Sequence, residues 1–169
     1  MTKPGLRGLV RRAAGIYARL LSALLAISVL ILVVPVTLQV VSRQTSWLPH
    51  WIWTEEMARF LLVWTIMIGA IVGQKEGIHF IVDLWPRLTG RFRAFMDLVS
   101  GIFVLTFGAV FLWFGIEFVD FAWFRISELA ELPLWLIHLP WPILGFSWLL
   151  FAGEKFVDDL LVLIHGEAA

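Results

Sequence analysis

Trp53-Thr54-Glu55-Glu56-Met57-Ala58-Arg59-Phe60-Leu61-Leu62-Val63-Trp64, running on through Gly69 and Gly73 to Gly77-Ile78-His79-Phe80-Ile81-Val82-Asp83, decides how this chain folds. Three charges open the stretch, an uncharged apolar run with glycines follows, and a polar turn closes it. Acidic residues suit the positive end of a helix dipole, and Thr54 stands where an N-cap would accept an amide hydrogen. The pattern predicts a helix over about 55–74. Glu55 and Glu56 lie four and three residues before Arg59, so both carboxylates can reach its guanidinium. Carried along one helical face, the cluster leads to Leu62, Ile66, Gly69 and Gly73. Gly69-x-x-x-Gly73 is a small-residue pair that lets a second backbone come close.

The rest of the chain reads as membrane helices around this one. Of its 169 residues 60% are hydrophobic and 15% charged, and the mean hydropathy is +0.89. Soluble domains are roughly 45–50% apolar, so this is the composition of an integral membrane protein. The net charge is zero, which gives no basic field for nucleic acid. There is no cysteine, hence no disulfide, thiol nucleophile or thiolate-bound metal. Most of the ten tryptophans flank apolar runs, as interfacial anchors do.

Lys3, Arg7, Arg11 and Arg12 lead into an apolar run from Leu20 to Val41. The run exceeds the roughly 7–15 residues of a signal-peptide core, and no small-x-small cleavage site follows. It reads as a retained signal-anchor helix over about 16–42, with a kink at Pro35. After the second helix the chain is polar and amphipathic; Ile78, Phe80, Ile81, Val82, Leu84 and Trp85 can lie in the interface and Pro86 ends the segment, which predicts a short membrane-surface helix over about 77–86. A third helix is expected over about 92–124, where Gly101, Gly108 and Gly115 recur every seven residues as a small-residue packing seam. A fourth is expected over about 134–164, with Pro140 and Pro142 near its start. The whole is an all-α membrane domain of four spans.

Lys and Arg distribute ten against three across the two sides, which predicts both termini in the cytoplasm. The other side is rich in tryptophan and acid, with Trp51, Glu128 and Glu131 on its loops. No Asp, Glu, Lys or Arg falls in 20–42, 60–74, 98–116 or 139–153. Ion pathways and proton relays use ionisable residues or unwound backbone at that depth, so the chain alone is a poor candidate for a transporter and offers no catalytic constellation. His50, His79 and His165 lie in loops or the tail and His138 at the outer end of a span, so they do not form the facing pairs that a bundle haem needs. His79 and Asp83, four apart, read either as an ordinary interfacial pair or as a partner contact. Glu55, Glu56 and Arg59 read either as a solvated ion pair or as a cluster partly buried against a partner.

Glu55-Glu56-x-x-Arg59, Val63-Trp64, Gly69-Ala70 and Gly77-x-His79-x-x-Val82-Asp83 together resemble the signature of the small membrane subunit of tripartite ATP-independent periplasmic (TRAP) transporters, the DctQ-like family. Pro133-Leu134-Trp135 and the run from Pro140 to Gly145 resemble the start of that family's fourth helix. The resemblance implies a four-helix protein of the bacterial inner membrane with both ends inside and no cofactor of its own. It implies a large DctM-like membrane partner that holds the substrate and sodium sites, and an extracytoplasmic binding protein that delivers an organic acid. The small subunit would brace the static part of the large one and contribute to docking of the binding protein. The competing readings are a membrane anchor of a respiratory or redox complex, which lacks its haem or quinone residues here, and an independent small transporter, which the uncharged core disfavours.

Overall fold

The computed structural model describes residues 6–45, 49, 51–76 and 91–165. Helix α1 spans Leu6–Gln44, α2 Trp53–Glu76, α3 Arg91–Ala122, α4 Trp135–His138 and α5 Pro140–His165. Four segments are long and apolar enough to cross a membrane: Arg11–Gln44, Trp53–Lys75, Phe95–Ala122 and Trp135–Leu161. The surface helix expected at about 77–86, with His79 and Asp83, lies outside the described residues.

Two boundaries differ from the sequence expectation for physical reasons. Helix α1 begins at Leu6 rather than near residue 16. Leu, Arg and Ala are strong helix formers, Ala14 is buried, and Arg11 is held by acidic side chains of α5, so the basic lead continues the helix. The last span is also not one helix. Pro140 and Pro142 bring no amide hydrogen, so the short turn α4 closes with Leu139 N–H on the Trp135 carbonyl at 2.9 Å. The chain then restarts with Pro140 as the first residue of α5, where a missing N–H costs nothing. Helix α1, by contrast, runs through its buried Pro35 without interruption.

Helix α1 packs along α2, α2 along α5, and α5 along α3, so the helices stand in the order α1, α2, α5, α3. The core lies where the first three meet: Ala14 and Leu21 of α1, Ile68 and Ile71 of α2, and Leu144 and Phe151 of α5. Polar groups fasten these apolar faces, a device that matters in lipid because the hydrophobic effect does not drive one helix onto another there. The only tyrosine, Tyr17, bonds the fully buried Ser147 at 2.8 Å. Thr65 donates to Ser28 at 3.1 Å, joining α2 to α1. The indole N–H of Trp148 donates to the Ala70 carbonyl at 3.3 Å and that of Trp64 to the Leu136 carbonyl at 2.9 Å.

Candidate functional site

At the tryptophan-rich end, Glu55 and Glu56 take different partners. Glu55 lies 3.8 Å from Arg59 and 3.9 Å from Arg43 at the end of α1. Both arginine side chains are more than half exposed, so these pairs are worth about 0–1 kcal/mol. Glu56 feels the charge of Arg59, but its direct partners are on the loop that follows α3. Its Oε2 accepts the backbone N–H groups of Leu129 at 3.0 Å and Ala130 at 2.6 Å. Two fixed amide donors hold a carboxylate better than one exposed, mobile guanidinium does, so the expectation that both carboxylates pair with Arg59 is corrected for Glu56. Thr54 departs from its expected role too. Its hydroxyl donates to the Trp51 carbonyl at 2.7 Å, and the helix begins at Trp53, two residues before the expected start at Glu55.

The loop that Glu56 grips is closed on itself. Ser127 N–H donates to the Leu132 carbonyl at 2.8 Å, Leu132 N–H to the Ser127 hydroxyl at 3.1 Å, and Leu134 N–H to the Arg125 carbonyl at 2.9 Å. Glu131 turns the chain with a φ of 51°, a left-handed conformation unusual for a residue with a side chain. Glu128, Glu131 and Trp51 are exposed at this end. An open cavity of about 290 Å³ lies between the start of α2 and the loop, lined by Trp53, Met57 and residues 129–132.

The glycines of α3 face α5. A side-chain carbon added at Gly101 would stand 3.0 Å from the Phe156 ring, and at Gly108 3.2 Å from Leu149. At Gly115 it would stand 2.6 Å from the Pro142 nitrogen. From the opposite side, one added at Gly145 would collide with the backbone nitrogen of Leu112 and stand 2.7 Å from the Gly108 carbonyl oxygen. The two helices therefore touch backbone to backbone. Gly69 is different: its nearest neighbour would be the tip of Leu25 at 3.7 Å, an ordinary contact with α1. Gly73 is half-buried in α2. Leu62 and Ile66, on the face shared with the charged cluster, remain exposed.

The opposite end holds a second charge cluster. Arg11 reaches Glu154 at 3.2 Å and Asp158 at 2.6 Å, Lys75 reaches Glu154 at 3.7 Å, and the Lys75 ammonium sits 5.0 Å above the Phe151 ring. Three helices meet there. Sequence reading treated these charges as topology signals and missed the clasp. The four-residue spacing of Glu154 and Asp158, which makes one acidic face on α5, was the available signal. Gly145 was quoted as part of a motif but not as a packing residue. Among the described residues, no group of three or more His, Cys, Asp or Glu is arranged to hold a metal ion.

The chain thus combines a small-residue helix seam, charges confined to the ends of its spans, and four apolar helices. It matches the family of tripartite ATP-independent periplasmic transporters, DctQ component, over residues 31–162. The chain belongs to the DctQ family. The C4-dicarboxylate TRAP transporter small permease protein DctQ of Rhodobacter capsulatus is 32% identical over 95 residues, which is 54% of this chain and 42% of that protein. The isethionate TRAP transporter permease protein DctMQ of Oleidesulfovibrio alaskensis is 28% identical over 95 residues, 54% of this chain and 15% of that one. The match thus spans less than half of either relative. The DctQ chain is a multi-pass membrane protein and a small TRAP transporter subunit. The comparisons give the redox-anchor reading no support.

Proposed function

We propose that this DctQ subunit is a static brace for a larger, DctM-like membrane subunit that carries the transport sites. The observation that carries the reading is a bundle without ionisable residues in the middle of its spans, whose α3 and α5 meet backbone to backbone. Such a contact resists deformation, because at Gly145 the atoms that meet are backbone and cannot give way by changing rotamer. A wall of this kind suits a transporter whose moving part needs something that does not follow it. Both termini face the cytoplasm of a bacterial inner membrane on the Lys and Arg count. Sodium belongs to the large subunit in this scheme. The names of the two relatives, an isethionate and a C4-dicarboxylate transporter, favour a small organic anion as the substrate.

Co-purification tests the reading. Tagged chain, expressed with its native membrane neighbours and mildly solubilised, is expected to bring down a large polytopic subunit in about equal amount. Recovery alone, or transport by this chain alone in vesicles, would end the brace reading. A second role is favoured by the Glu56 grip, which holds the loop of Glu128 and Glu131 rigid beside Trp51. That rim is suited to a basic patch on an extracytoplasmic binding protein. Reversing both charges, Glu128→Lys with Glu131→Lys, is expected to lower binding-protein-dependent uptake. Unchanged uptake would reduce the rim to an ordinary membrane anchor.

A further inference from the structure

Arg12 and Arg19 lie on the side of α1 that faces away from the other helices. Both are exposed, and among the described residues neither has an ion pair or hydrogen bond. Their neighbour Arg11 points elsewhere, onto Glu154 and Asp158 of α5. Seven residues make nearly two helical turns, which puts Arg12 and Arg19 within about 20° of one face and about 10 Å apart along the axis. Ile16 lies between them, 60% exposed. Past Arg19 the same stripe continues through Leu20, Ala23, Ile27, Leu30 and Val34, all exposed.

A guanidinium stays charged at any accessible pH, so Arg19, at the edge of the uncharged run 20–42, requires an anion or water. Helical side chains lean toward the amino terminus, which carries Arg19 out of the apolar layer and toward the level of Arg12. The headgroup layer is about 5–8 Å deep on each side of the hydrocarbon core. A phosphate at that depth falls between the levels of the two Cα atoms, about 10 Å apart along the axis, and the long arginine side chains can reach it from either side. We propose that Arg12 and Arg19 hold the phosphate of an anionic phospholipid whose acyl chain lies along the stripe from Leu20 to Val34. The arginine fork offers parallel N–H donors that match phosphate oxygens. Either leaflet supplies the phosphate, so the site stands independently of the brace role and of the chain's orientation.

The test uses full-length chain, with any partner it retains, depleted of lipid in detergent. Its thermal unfolding is followed as phosphatidylglycerol or phosphatidylcholine is added. Phosphatidylglycerol is expected to stabilise the wild type saturably and phosphatidylcholine much less. Arg12→Gln with Arg19→Gln is expected to need roughly 30-fold more phosphatidylglycerol, the effect of two basic side chains at an anionic surface, while Arg12→Lys with Arg19→Lys keeps part of the response. An unaltered response in the Gln pair, or equal action of the two lipids on the wild type, overturns the proposal. Native mass spectrometry of the wild type provides a reading independent of how the variants fold. Selective retention of phosphatidylglycerol supports the site, and adducts in proportion to the bulk lipid refute it. Because the chain has no cysteine, Ile16→Cys can also be crosslinked cleanly. Efficient capture of a neighbouring subunit there would mean that protein covers the stripe, and the lipid site would be excluded.

Discussion

Replacing Gly145 by alanine adds one methyl group at the tightest glycine contact among the described residues. The new carbon would collide with the Leu112 nitrogen and lie 2.7 Å from both the Leu112 Cα and the Gly108 oxygen. All three are backbone atoms, so no rotamer change relieves the clash. Bringing the two atoms at 2.7 Å to about 3.5 Å already requires α3 and α5 to part by roughly 0.8 Å, clearing the Leu112 nitrogen requires more, and a gap of about 0.5–1 Å forfeits a quarter to a half of each dispersion contact along the seam. Overpacking of a close-packed site costs about 1–3 kcal/mol. Removing glycine from a helix interior returns about 1 kcal/mol. With the upper end of the first range, the net loss is about 2 kcal/mol, or roughly 30-fold in the unfolding equilibrium. The assay is denaturant unfolding in micelles followed by tryptophan fluorescence, with Trp141 and Trp148 near the contact. Gly69→Ala is the control, since its new carbon would find only Leu25 at 3.7 Å, and it is expected to be neutral or stabilising. If Gly145→Ala proves as stable as Gly69→Ala, the backbone-contact reasoning is wrong.

Other substitutions probe the remaining contacts. Glu56→Ala leaves the amides of Leu129 and Ala130 without their acceptor; hydrogen exchange at those two positions is expected to rise by about tenfold or more, as loss of charge-assisted bonds of roughly 1.5–3 kcal/mol implies. Equal protection in wild type and variant would mean that the loop holds itself. Arg11→Gln opens the clasp to Glu154 and Asp158, but the Arg11 side chain is 60% exposed, so a thermal-stability loss of at most about 1 kcal/mol is expected, shrinking further in high salt. Trp64→Phe keeps the ring but removes the N–H that reaches the Leu136 carbonyl; a loss of about 0.6–2 kcal/mol in micelle unfolding is expected, and a stabilised variant would refute the bond's role.

The four spans were legible because hydropathy depends on composition over long windows; lipid leaves the backbone only a helix or a closed barrel, and apolar runs of this length select the helix. The seam at Gly101, Gly108 and Gly115 was legible as a periodicity, but its partner was not. Nothing in α3 alone says that Gly145 of a later helix stands opposite Leu112. The Glu56 contact was hidden for a related reason. Spacing along a helix reveals which side chains are neighbours on it, and so pointed Glu56 at Arg59. The donors that engage it lie 73 and 74 residues away, on a loop whose shape depends on Ser127 and on the turn at Glu131. Arg11 misled in the same way: as one cation of a basic lead it signals topology, whereas its fold partners sit at the far end of the chain.

The order in which the helices stand differs from the order in which they are made. The first two are neighbours in sequence and in space, so their contact needs no later part of the chain. The third has its principal partner in α5, which is synthesised last. During synthesis α3 therefore waits in the bilayer with its glycine face unpaired, and α2 waits with its smaller face, the one that meets α5, unused. Assembly of the bundle is in this sense a single late event, triggered by the arrival of α5. A chain cut short before Pro140 retains three of its four spans but has lost the helix that joins its two halves.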